Sequence, residues 1–245
     1  METGLKGRTV LVTGASRNMG RLAALAFARE GANLALCTGR AMKELNEVAA
    51  EARKLGVKVV AEQCDVAEDA AVSAFVARVR RETGRIDVAV NLAGYRCERP
   101  LLEETYEAWS RNIAVNLTGP FHVCRHVLPI MMERRWGRII NTAGVAPYLG
   151  AGAAKAMVKL GIVGFTRGIA KEFGEHNITA NCFGPGQIER PPDPTVTDKP
   201  LRASVALRRK GAPEEAVSLA IYLASETAGF ITGQCYLVNG GSYFQ

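Results

Sequence analysis

The sequence is poor in the features that mark several large protein classes. None of its 245 residues fall in a run approaching the ~18 consecutive apolar positions of a bilayer-crossing helix, so no membrane span is expected. Met1 to Arg8 holds no apolar stretch ahead of a small-residue cleavage site, which reads against a secretory signal. The six cysteines (Cys37, Cys64, Cys97, Cys124, Cys182 and Cys235) stand apart, with no C-x-x-C pair. A chain of this length buries a sufficient core without disulfide staples, and reduced thiols in a cytoplasmic protein are expected. His122 and His126 lie one helical turn apart with Cys124 between them, but a zinc site needs three or four converging ligands; no metal is expected. There is no Walker sequence, no G-x-S-x-G nucleophile elbow, no repeat and no low-complexity tract.

Against these absences stands an ordinary globular composition, 48% hydrophobic and 22% charged, which excludes wholesale disorder. The length suits one large α/β domain over residues 1–245. Short apolar runs alternate with longer Ala-rich helical patterns. The strand candidates are Thr9–Thr13, Asn33–Cys37, Val57–Ala61, Ile86–Val90, Arg138–Asn141, Ile178–Cys182 and Cys235–Val238. Helical patterns run to Arg29, from Met42 to Leu55 and from Asp69 to Arg81. The strands show little polar alternation, the mark of a parallel sheet buried on both faces. A doubly wound Rossmann-type α/β fold follows, with a seven-stranded parallel sheet flanked by helices and ligands at the strands' carboxyl ends. The net charge of +7 points to a polyanion, a membrane surface or an anionic small molecule, and composition alone does not choose among them.

The first strand ends in Thr13-Gly14-Ala15-Ser16-Arg17-Asn18-Met19-Gly20. Gly14 permits a tight turn and Gly20 close helix packing, so that the helix N-terminus can offer N–H groups to a pyrophosphate. This segment resembles the T-G-x-x-x-G-x-G turn of the short-chain dehydrogenases/reductases, with Asn18 at the middle glycine, a residue that tolerates left-handed backbone. The resemblance covers nearly the whole chain. Cys64-Asp65-Val66 resembles the family's adenine segment, and Val90-Asn91-Leu92-Ala93-Gly94 its N-N-A-G. Val115-Asn116-Leu117-Thr118-Gly119 resembles the helix carrying its catalytic Asn, Phe183-Gly184-Pro185-Gly186 the turn beneath the nicotinamide, and Asn239-Gly240-Gly241 its C-terminal signature. By this resemblance a dinucleotide rests on Gly14, Ser16, Arg17, Asn18, Met19, Gly20, Thr38, Arg40, Asp65, Val66, Asn91, Ala93, Gly94, Lys159, Pro185, Gly186 and Ile188. An NAD site usually carries an acid after the second strand. Here Thr38-Gly39-Arg40 carries none, and Arg17 and Arg40 can meet a 2′-phosphate, so NADP(H) is expected.

At the catalytic end the resemblance implies a Ser and a Y-x-x-x-K pair. Alignment through Gly164-Phe165-Thr166 places the Lys at Lys159; the Tyr position holds Lys155 and the Ser position Gly144. The segment from Gly144 to Lys155 is two residues shorter than the family's usual one, and Arg190 stands where the family often has a Thr. Three readings follow. The chain is an atypical oxidoreductase acting on a carbonyl or enone, its proton supplied by Tyr148, Thr142 or a water held by Asn116 and Lys159. Alternatively, Lys155 and Lys159 repel each other into a neutral amine for a dehydratase, isomerase or lyase reaction. Alternatively, the chain is a catalytically silent NADP(H) sensor or partner subunit.

The proline-rich segment near 187–212 reads as an irregular substrate lid. Arg190 to Lys210 holds six basic residues (Arg190, Lys199, Arg202, Arg208, Arg209, Lys210) against Asp193 and Asp198. The surplus therefore favours an anionic small-molecule substrate, carboxylate or CoA/ACP-linked, over nucleic acid or membrane. Arg134-Arg135-Trp136 is a basic cluster of a kind that can face acyl carrier proteins in this family, though a solvated helix end is the commoner explanation. Leu160, Ile162, Val163 and Phe165 form an apolar helical pattern that fits the homotetramer or homodimer expected from the resemblance.

Overall fold

The computed structural model describes residues 2–96, 99–190 and 200–244. Seven parallel strands form one sheet: β1 (Thr9–Thr13), β2 (Asn33–Thr38), β3 (Val59–Gln63), β4 (Val88–Asn91), β5 (Gly137–Thr142), β6 (Ile178–Pro185) and β7 (Cys235–Val238). Their order is β3-β2-β1-β4-β5-β6-β7, so the winding reverses between β1 and β4. Helices α1 (Asn18–Arg29), α2 (Met42–Arg53) and α7 (Pro213–Ala224) cover one face. On the other lie α3 (Asp69–Thr83), α5 (Gly119–Arg134) and α6 (Ala153–Phe173), with the short α4 (Tyr106–Ile113) leading into α5. β1 is buried along its whole length, as a central strand sandwiched between two helical layers must be.

The seven strand candidates all form, with displaced ends. β3 runs two residues further on than its apolar run, because its register on β2 pairs Leu34 with Val59 and Thr38 with Gln63. β6 extends to Pro185 because Phe183, Gly184 and Pro185 pair with Tyr236, Leu237 and Val238 of β7. β4 begins at Val88, paired with Val10 and Arg138. Pairing partners decide these ends, and periodicity within one strand does not see them.

One expectation changes, and the basic cluster takes the commoner of its two explanations. Ile162 and Val163 are 1% and 3% exposed and pack beneath α6 against the sheet, so they cannot belong to a subunit face; Leu160 (55%) and Met157 (60%) point outward instead. Arg134 donates to the Gly84 carbonyl at 2.9 Å and Arg135 to the Glu175 carbonyl at 2.8 Å, while Trp136 is stacked by Arg8 and Arg138. That cluster thus closes helix ends and edges.

A buried polar chain threads the apolar centre. Asn91 Nδ2 donates to Asn141 Oδ1 at 2.8 Å, and Asn141 Nδ2 donates to Thr166 Oγ1 at 2.9 Å, joining β4, β5 and α6. Asn141→Ala is expected to strand both neighbours and lower stability by about 1–3 kcal/mol in urea unfolding; a change within error would show that the chain is not cooperative.

Candidate functional site

Thr13 closes β1 with its hydroxyl oxygen accepting both the Leu92 N–H (3.1 Å) and the Ala93 N–H (3.0 Å) of the segment after β4. The two strands therefore part at a fixed point, and a cleft opens where the winding reverses. Gly14 turns away at φ +67, and a Cβ there would lie 2.8 Å from the Ala93 nitrogen. A Cβ on Gly20 would lie 2.1 Å from the Gly14 carbonyl oxygen. Asn18 adopts φ 50, so the turn keeps the left-handed position without glycine. No side chain caps α1, whose first turn opens on the cleft lined by Ser16, Arg17, Asn18, Met19 and Gly20.

The next strands supply the neighbouring wall. Ser16 Oγ lies 3.3 Å from Thr38 Oγ1, and the Ala15 N–H donates to the Cys37 carbonyl at 3.1 Å, tying the turn to β2. Thr38, Arg40, Asp65 and Val66 all line the cleft, and Arg40 is exposed there together with Arg17. Arg111 of α4 donates to Asp65 Oδ2 at 2.6 Å. Burial opposes ionisation of Asp65, yet the Arg111 guanidinium and the Ala67 N–H outweigh it and hold the carboxyl below its ordinary value. Sequence reading missed Arg111, whose place beside Asp65 follows only from the packing of α4 across the cleft.

At the other end Ala93, Gly94, Pro185, Gly186 and Ile188 line the cleft with Lys155 and Lys159. The spacing of four residues puts both lysines on one face of α6. Lys159 Nζ donates to the Thr142 carbonyl at 2.9 Å. Burial, aided by the charge of Lys155, lowers its amine to about 8. Gly144 also lines the cleft, at φ +101, with open space where a Cβ would stand. A Ser there would meet backbone strain rather than crowding.

Three assigned side chains lie outside the cleft lining. Asn91 is turned into the polar chain of the core. Asn116 sits in a π-helical turn, Ala114–Thr118, between α4 and α5; its amide accepts the Tyr95 N–H at 3.2 Å and donates to the Tyr95 carbonyl at 2.7 Å, which pins the loop after β4. Tyr148 packs on Tyr243, ring centroids 5.5 Å apart, with its hydroxyl on Cys235. It packs with Ile162, Val163 and Cys182 beneath α6 and is not part of the cleft lining.

The base of the suggested lid is held by a bridge of Ile188 to Gly211 and by Gln187, which bonds the Pro200 carbonyl and the Arg202 N–H, each at 2.8 Å. Arg190, Arg202 and Lys210 line the cleft, as do Arg96 and Arg99. The prolines at 191, 192 and 194, with Asp193, Asp198 and Lys199, lie outside the described residues, as does Cys97. Among the described residues no group of three His, Cys, Asp or Glu side chains could hold a metal, and no helix is long and apolar enough to cross a membrane. His122 bonds the Val66 carbonyl and His126 bonds Asp69.

Residues 14–243 match a family profile described as enoyl-(acyl carrier protein) reductase. The chain belongs to the short-chain dehydrogenase/reductase family. It is 32% identical to the 3-oxoacyl-[acyl-carrier-protein] reductase of Aquifex aeolicus across 99% of this chain and 100% of that protein. Identity is 34% to the enzyme of the same description from Escherichia coli, over 97% of this chain and 98% of that one. A crystal structure of NAD+-bound xylitol dehydrogenase superposes with a TM-score of 0.90 at 31% identity, covering 97% of this chain and 99% of that one. The glycine cradle and the uncapped α1 terminus fit the nicotinamide dinucleotide that such short-chain dehydrogenases/reductases use. Gly20→Ala is expected to force α1 from β1, at a cost of about 1–3 kcal/mol in urea unfolding, and to abolish nucleotide binding by fluorescence titration; full retention of both would overturn the cradle.

Proposed function

We propose that this short-chain dehydrogenase/reductase is a cytoplasmic NADP(H)-dependent reductase of a small carbonyl or enone compound that carries an anionic group, a carboxylate or a CoA- or ACP-linked acyl chain. The observation that carries the reading is one cleft with Arg17 and Arg40 at its adenosine end and the Lys155–Lys159 pair at its other end. Gly14, Ser16, Asn18, Met19, Gly20, Asp65, Val66, Ala93 and Gly94 would hold the dinucleotide, with Thr38, Pro185, Gly186 and Ile188 along its length. When bound, NADPH supplies the hydride.

The chain's own residues then have two tasks. Arg17 and Arg40 offer the charge and planar donors that a 2′-phosphate takes, and the residues directly after β2, Gly39-Arg40-Ala41, include no acid. Lys159, with Lys155 beside it, replaces the usual Tyr as the acid that meets a developing alkoxide or enolate, a contribution of ~10²–10⁴ in rate. The Thr142 carbonyl orients the Lys159 ammonium. Arg96, Arg99, Arg190 and Arg202 give the mouth an anion-attracting rim, and the 187–212 segment acts as the lid. Met157 and Leu160 with Phe121, 45% exposed on α5, support assembly as a homotetramer or homodimer.

NADPH consumption with a panel of ketones and enones tests the reading; tight NADPH binding with no turnover would favour the silent sensor. Because the protonated amine is the acid, reduction should proceed below pH 8 and fall as pH rises through about 8, with alcohol oxidation rising over the same range. A flat profile with Lys159→Met still active would exclude the lysine acid. The lowered amine also favours a second reading, a lysine-assisted non-redox reaction, marked by a borohydride-trapped imine on Lys159 or Lys155. Arg40→Glu is expected to weaken NADPH binding by about tenfold or more, or about 1.4 kcal/mol, and to spare NADH. Equal losses for both nucleotides would place the 2′-phosphate elsewhere.

A further inference from the structure

Behind the cleft, on the face of the sheet covered by α6, two cysteines stand side by side. Cys182 of β6 and Cys235 of β7 are register partners on adjacent parallel strands. Neighbouring strands lie about 4.8 Å apart, inside the Cα separation of about 4.4–6.8 Å that a disulfide spans. Partners in register also present their side chains to the same face. The two thiols are close enough to shift each other's ionisation, and both are free.

Their surroundings differ in a way that divides the labour. Cys182 is fully buried; its sulfur lies 3.0 Å from Thr166 Oγ1, the end of the Asn91–Asn141–Thr166 chain. Cys235 lies on the last strand of the sheet, is 6% exposed, and is covered by the Tyr148 hydroxyl with Arg167 nearby. The neighbouring Cys182, with Tyr148 and Arg167, outweighs burial and brings the Cys235 thiol down to about 7, whereas Cys235 and burial hold the Cys182 thiol far above its ordinary value. Cys235, on the edge strand beside Arg167, is therefore the member its surroundings favour as thiolate, and Cys182, buried in the core, the one they hold protonated.

We propose that Cys182 and Cys235 form a peroxide-responsive dithiol in which Cys235 takes the oxidant, Cys182 resolves it, and the product is a disulfide tying β6 to β7. The Cys235 thiolate attacks one peroxide oxygen, the O–O bond breaks, and the departing hydroxide takes up a proton as water. Cys182 sulfur then attacks Cys235 sulfur, the S–O bond of the sulfenic acid breaks, and a second water leaves with the Cys182 proton. Two thiols lose two protons and two electrons, and one peroxide takes them up to become two waters. The second step is internal to the pair, so the burial of Cys182 does not obstruct it. The cross-link would lie directly behind the cleft floor, since β6 runs on to Pro185 and Gly186, and Gly186 packs on Asn239 just after β7. It also gives Tyr148 a place as hydrogen-bond partner of the reactive thiol.

The inference is independent of the proposed reductase activity and is read by mass alone. The folded wild-type protein, treated with hydrogen peroxide and digested without reduction, is expected to yield a peptide joining residues 182 and 235, about 2 Da lighter than the two thiol peptides together and released by dithiothreitol. Cys182→Ser, which keeps a hydroxyl for Thr166, should form no such link; Cys235 should instead be trapped as sulfenic acid by dimedone or pass to the sulfinic acid, about 32 Da heavier. Circular dichroism checks that the variant is folded. Oxidation of other thiols without the 182–235 peptide in the wild-type protein overturns the proposal, and so does a folded Cys182→Ser protein whose Cys235 stays unmodified.

Discussion

Everything at the cleft depends on how closely three backbone segments meet at the end of β1. Gly14, Gly20 and Ala93 approach so tightly that a Cβ on either glycine would stand inside another residue's backbone. The Thr13 hydroxyl fixes the same point from within by accepting two N–H groups of the segment after β4. With that approach in place, α1 begins with its donors on the cleft, β2 delivers Arg40 beside the turn, and α6 lays its lysines across from them. Loosen it, and the helix dipole, the cations and the lysines no longer share one space.

A second constraint is the polar chain inside the sheet. Amide and hydroxyl groups in an apolar interior must pair among themselves or be left unsatisfied. Asn91, Asn141 and Thr166 pair across three elements, and the Cys182 sulfur continues the line towards the last strand. The same rule draws Asn116 into its bonds with the Tyr95 backbone and fastens the loop after β4. Asn91 and Asn116 are thus engaged in holding the walls of the cleft.

The fold was legible because it rests on patterns within short segments. Seven apolar runs became seven strands, and the glycine turn formed where its spacing placed it. Strand ends were less legible, since Phe183 to Pro185 are strand only through their pairing with β7, and Val59 to Gln63 only through β2. The site was legible at its adenosine end, where consecutive residues of one turn act together. It was illegible where distant elements meet: Arg111 against Asp65, Tyr148 against Tyr243, and Cys182 against Cys235.

The sequence by itself determined the parallel α/β order, the position of the dinucleotide turn, and the presence of lysines at 155 and 159 with glycine at 144. These follow from periodicity and from residue types that need no partner to be read. Tertiary structure alone decided which side chains reach the cleft. Ile162 and Val163 went to the core while Leu160 stayed outside, and the Lys159 amine was lowered by its burial beside Lys155. Burial and the proximity of groups far apart in the chain set those outcomes, and neither exists until the sheet is assembled.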